Sequence, residues 1–167
     1  MAIAAWAGLA CTPTFDWREL RPEGSRAQLM FPCKPASQTR RLQLAGTLVE
    51  MSMFACVVDG TTFALSFADL HDPALVAAAL DGLAQGVQSH IQSSEHAAAQ
   101  AASVPGMTPN ARAATWRVSG RLPDGREVQQ VATLFAHGTS VYQATMLGTR
   151  LDAAAQETFF GALRVSR

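Results

Sequence analysis

The chain has 167 residues, with 13 basic and 13 acidic side chains, an apolar fraction of 49% and a charged fraction of 16%. That length corresponds to one domain, and the apolar content excludes a disordered chain, which combines low hydrophobicity with high net charge. A net charge of zero argues against nucleic-acid binding, which rests on neutralising phosphates; the single lysine, Lys34, leaves no lysine behind a glycine-rich loop for a P-loop.

Residues 1–11 are the longest uncharged run of small apolar residues. The run is too short to cross a bilayer, which takes about 20 residues. It fits the apolar region of a signal peptide. It ends in Leu9-Ala10-Cys11, which resembles a bacterial lipobox with Cys11 as the lipidated residue. It departs from that pattern at Gly8, where leucine is usual, and no basic residue precedes Arg18. A start upstream of Met1 would account for the second departure. The expected organisation is a signal and lipobox over 1–11 and a single domain over 12–167. The alternative is an ordinary apolar terminus on a cytoplasmic protein.

Alternation predicts strands over 15–20 and 26–31, separated by a turn at Pro22-Glu23-Gly24-Ser25 and stopped by Pro32 and Pro35. A third strand covers 40–44 and breaks at Gly46. The fourth, 48–58, puts Val49, Met51, Met53, Ala55 and Val57 on one face and Leu48, Glu50, Ser52, Phe54 and Cys56 on the other. The second face turns apolar towards its end, which predicts cover on both sides. Asp59-Gly60 is a hairpin turn, and 61–68 returns.

A helix is predicted over 73–94. Asp72 is its N-cap and Pro73 its first residue. Val76, Leu80, Leu83, Val87 and Ile91 make one apolar stripe at helical period. Residues 96–112 read as a fraying helix end and a mobile loop. Strands follow over 114–121, 127–136 and 140–147, with turns at Pro123-Asp124-Gly125 and His137-Gly138. A closing helix starts at Leu151-Asp152 and is anchored by Phe159, Phe160 and Leu163. The hairpin connections exclude a parallel, doubly wound sheet. The fold class is α+β: an antiparallel sheet in two meanders, with a long helix and a short C-terminal helix packed on it.

His71 stands beside Asp69 and Asp72, an arrangement suited to acid–base work; the other reading is helix-capping in an exposed loop. No GxSxG motif supplies a nucleophile. His90, His96 and His137 read as surface or turn residues. Three cysteines are too few for a disulfide framework. Cys33 and Cys56, both in predicted strands, are either a pair or two buried thiols. No Cys/His spacing suits a metal, so no metal or other cofactor is expected. Met30, Met51 and Met53 with Phe54 suggest an adaptable apolar surface, and Arg117 with Arg121, sharing strand parity, a carboxylate or phosphate contact. For both groups the competing reading is ordinary packing or solvated strand faces.

An early Trp17, a strand ending in Phe31-Pro32-Cys33-Lys34-Pro35, a meander, a long helix, a second meander and a final helix with Thr158-Phe159-Phe160 resemble the Mog1/PsbP-like fold. Within it the segments Arg117 to Arg121, Pro123 to Arg126 and Val141 to Thr145 resemble small beta-proteobacterial lipoproteins. The resemblance covers residues 15–165. It implies an α/β/α sandwich and an accessory or binding role rather than an enzyme. The function expected is therefore a non-enzymatic, envelope-associated lipoprotein. It would be periplasmic and anchored to the membrane through Cys11, with a protein partner and no nucleic acid. Two alternatives stand beside it: a chaperone-like binder of apolar peptide segments in the cytoplasm, and a small hydrolase using His71 with Asp69 or Asp72.

Overall fold

The computed structural model describes residues 14–166, with residues 93–96 described by their backbone alone. In chain order the strands are β1 (Arg18–Leu20), β2 (Ala27–Phe31), β3 (Ala36–Leu44), β4 (Thr47–Val58) and β5 (Thr61–Asp69). A 3-10 turn (Pro73–Leu75) leads into helix α1 (Val76–His90). Then come β6 (Gln92–Ala101), β7 (Ala114–Arg121), β8 (Glu127–His137) and β9 (Ser140–Gly148), helix α2 (Ala153–Gly161), and β10 (Arg164–Val165). The fold is α+β, as expected.

Seven strands form one antiparallel sheet in the order β3-β4-β5-β9-β8-β7-β6. The two meanders meet where β5 pairs with β9, so they share one sheet. The tight turns follow from local chemistry. At the β4–β5 hairpin Asp59 and Gly60 both take positive φ, 48° and 71°, the conformation that suits the right-handed twist of the flanking strands. A second, smaller sheet, β1-β2-β10, lies against the large one. Its central strand alternates buried and half-buried residues, so Ala27, Leu29 and Phe31 face inward.

The large sheet carries a buried cluster on each face. On one, α1 lays its stripe: Val76, Ala79, Leu80 and Val87 are buried, and Ile91 follows just past the helix end. They meet Leu44 and Val49 from the first meander and Val118, Leu134 and Val141 from the second. The stripe thus crosses the junction between meanders, because neither half alone offers a wide enough apolar face. On the other face, α2 and the small sheet cover Phe63, Leu65, Phe135, Tyr142 and Met146. Asp152 caps α2 by accepting the Ala155 N–H at 2.7 Å. Phe159 stands edge-on to Phe31 and Phe63, with ring centroids 5.5 and 5.4 Å away; Phe160 is half-buried beside it.

Three expectations are corrected. The helix predicted over 73–94 stops at His90, where Ile91 turns extended (φ −106°, ψ 114°). Residues read as a fraying helix end instead form β6, which pairs with β7. Alanines favour helices, but an edge strand asks only for backbone partners, and the free edge of β7 supplies them. The segment after β6, read as a mobile loop, is held in place. The Thr108 N–H donates to the Ala136 carbonyl at 2.8 Å, the Val165 N–H donates to the Pro105 carbonyl at 2.9 Å, and Val104 is buried. Gly106 (φ 83°) passes so close to the Val165 carbonyl that a Cβ would meet it.

Candidate functional site

The β5–α1 connection gathers the titratable residues singled out in the sequence. Asp69 ends β5, and His71 takes a left-handed conformation (φ 56°). The Asp69 carboxylate lies 3.3 Å from His71 Nδ1. It also accepts the His71 backbone N–H at 2.9 Å and the Thr139 hydroxyl at 2.6 Å. Asp72 does separate work, accepting the Ala74 N–H at 2.8 Å to cap the 3-10 turn. These bonds are those of a loop anchor: Asp69 ties the exit of β5 to the β8–β9 turn.

His71 and Asp69 border an open groove of about 470 Å³ whose wall includes Glu50 and Ser52. The His71 side chain is 85% exposed. The Ser52 hydroxyl is engaged by Thr39 at 3.0 Å. Among the described residues, no hydroxyl or thiol is hydrogen-bonded to the His71 ring. A carboxylate–imidazole pair of this kind can orient a base, but nucleophilic catalysis also needs a bonded nucleophile.

Burial pushes the Asp69 carboxyl up. Hydrogen bonds from Thr139 and the His71 amide, and the charge of the His71 ring, outweigh it and hold the group below the usual carboxylate range. A carboxyl whose folded pKa is depressed stabilises the fold above its unfolded pKa, and the benefit is lost as pH falls through the folded value. Asp69→Asn should therefore weaken the protein at neutral pH and flatten the decline of stability below about pH 4. Urea denaturation across a pH series measures this; an unchanged acid slope would contradict the anchor role.

The residues expected to form one binding surface are divided. Strand pairing puts Met51 and Met53 on the α1 side of the sheet and Phe54 on the opposite side, stacked on Phe67 with ring centroids 6.3 Å apart. Met30 belongs to the small sheet, opposite Glu19. Arg117 and Arg121 share a face of β7, which three strands separate from β4. Arg121 is paired with Glu127 at 2.7 Å, and Arg117 donates to Gln156 at 3.0 Å. Four further arginines are also engaged: Arg40 by Gln38, Arg41 by Glu50, Arg112 by Asp81 and Arg126 by Asp124. Among the described residues these arginines form no continuous basic patch.

Cys33 and Cys56 form a disulfide, with Cα atoms 6.1 Å apart. Cys33 lies in the bend after β2 rather than within a strand. Cys56 sits on β4, on the same side as Phe54, so the bridge fastens the small-sheet side of the molecule to the large sheet. Cys11 and the whole segment 1–11 lie outside the described residues. Among the described residues no helix is long and apolar enough to cross a membrane.

The methionine-bearing face of β4 read from the alternation is only partly covered, and the extent of its cover had no signal in the sequence. The α1 side of β4 begins buried at Val49 and half-buried at Met51, under the helix. Helix α1 then crosses towards β7 and β6. Further along the same face of β4, Met53 and Ala55 are half-buried and Val57 is 64% exposed. Thr62 and Ser66 of β5 flank this strip on one side, and Gln38 of β3 on the other. Comparison with known protein families finds no family model that matches the chain, and comparison with curated proteins finds none that matches.

Proposed function

We propose that this chain is a non-enzymatic binding or accessory protein of the bacterial envelope. It is exported, anchored through a lipid on Cys11, and offers a face of its sheet to a protein partner at the membrane. The observation that carries the binding role is the strip Met53-Ala55-Val57. An apolar row that runs from half-buried Met53 and Ala55 to exposed Val57 marks an interaction surface when polar residues rim it. Met53 at its inner end suits a partner that must be accommodated by side-chain adjustment.

Export has separate support. Disulfides persist in oxidising compartments and are rare in the cytosol, so the Cys33–Cys56 bridge favours the envelope over the cytoplasmic peptide-chaperone alternative. The accessory role agrees with the resemblance to the Mog1/PsbP-like fold and its lipoproteins. The hydrolase alternative has the weaker footing, because His71 and Asp69 are occupied as a loop anchor.

Metabolic labelling with a palmitate analogue tests the anchor, on the gene expressed from its natural start. The label is expected on the wild type and in the membrane fraction. Cys11→Ser should abolish the label and release the protein into the soluble fraction. An unlabelled wild type found free in the cytoplasm would overturn the proposal.

A further inference from the structure

We propose that the groove between α2 and the β7–β8 pair binds a small zwitterion, an α-amino acid with an apolar side chain. The site lies on the opposite side of the sheet from the β4 strip and is independent of the function proposed above. Its floor is a two-by-two patch of paired residues: Thr115 opposite Thr133, and Arg117 opposite Val131. Its wall is one stripe of α2, in which Gln156, Glu157 and Phe160 follow Ala153 at helical spacing. The groove measures about 410 Å³, within the roughly 300–1,000 Å³ of small-molecule clefts.

The charges select the ligand. Among the described residues seven arginines pair with a carboxylate, as Arg121 does with Glu127 and Arg126 with Asp124. Among the described residues Arg117 has no carboxylate partner; it donates only to the Gln156 side-chain oxygen. Glu157 lines the same groove and forms no ion pair with Arg117 or any other described residue. A positive and a negative side chain thus line one cleft without pairing with each other. A simple anion would meet Glu157, and a simple cation would meet Arg117. A zwitterion satisfies both, its carboxylate taken by the planar guanidinium and its ammonium by Glu157.

The hydroxyls add to this. Thr115 and Thr133 are 2.9 Å apart and share one hydrogen between them, which leaves the second hydroxyl hydrogen free to donate to the carboxylate. Val131 and Phe160 supply the apolar contact for the ligand's side chain. Towards the sheet edge the residue opposite Arg117 is Ala98, small and exposed, so the groove opens there.

Backbone-amide NMR titration of the purified chain tests the site. The probes are leucine, N-acetyl-leucine, which lacks the ammonium, and leucinamide, which lacks the carboxylate. Leucine is expected to give saturable shifts at Thr115, Arg117, Thr133 and Phe160, with a Kd at least about tenfold below either half-ligand. Arg117→Ala and Glu157→Ala, both at exposed positions, should each weaken leucine at least about tenfold while the remaining spectrum keeps its dispersion. Three results would overturn the proposal: no saturable shift with leucine, equal binding of a half-ligand, or an unaffected affinity in either variant.

Discussion

Leu80→Ala is expected to lower the unfolding free energy by about 2–5 kcal/mol, the combined cost of lost burial and a cavity that surrounding residues cannot fill. Domains of this size are held by only about 5–15 kcal/mol, so the loss is a large share of the total. Leu80 is fully buried in the N-terminal half of α1, among residues of both meanders. Its removal loosens the element that spans the junction. Gln85→Ala, at an exposed position on the same helix, should stay within about 0.5 kcal/mol. Chemical denaturation of the two variants decides it. A neutral Leu80→Ala would mean that α1 is not a core element, and its stripe would become a partner surface instead.

The second large effect comes from the disulfide. Replacing Cys33 and Cys56 together by alanine should cost about 3 kcal/mol, since cross-linking a loop of some 15 residues contributes about that much and the dependence on length is slow. The bridge here spans 23 residues. It ties the bend after β2 to β4, so its loss frees one side of the small sheet from the large one. Adding a reductant to the wild type should lower its denaturation midpoint to that of the double variant. A midpoint that does not respond to reductant would contradict the bridge.

The parts of this fold legible in the sequence are those set by local chemistry. Alternation with a turn-forming pair located β4, Asp59-Gly60 and β5. The stripe from Val76 to Ile91 located α1, and Asp152 marked the start of α2. What escaped depends on distant partners. The alanines of β6 carry no strand pattern, because an edge strand is held by its neighbour's backbone. The two residues of β10 are a strand only because β2 lies beside them. The pairing of Cys33 with Cys56 depends on how the small sheet settles on the large one. The exposure of Val57 depends on where α1 crosses the sheet, and the groove at Arg117 on where α2 lands. No local pattern encodes either position.

A domain that works outside the reducing cytoplasm must carry its bridge in the living cell. The direct measurement is the thiol state of Cys33 and Cys56 in cells making the protein from its natural start. The cells are quenched in acid and treated with a maleimide that shifts gel mobility, with and without prior reduction. An exported, envelope-bound protein should show both residues shielded until reductant is added. Two thiols that label directly, in cells where periplasmic controls remain oxidised, would contradict the envelope assignment.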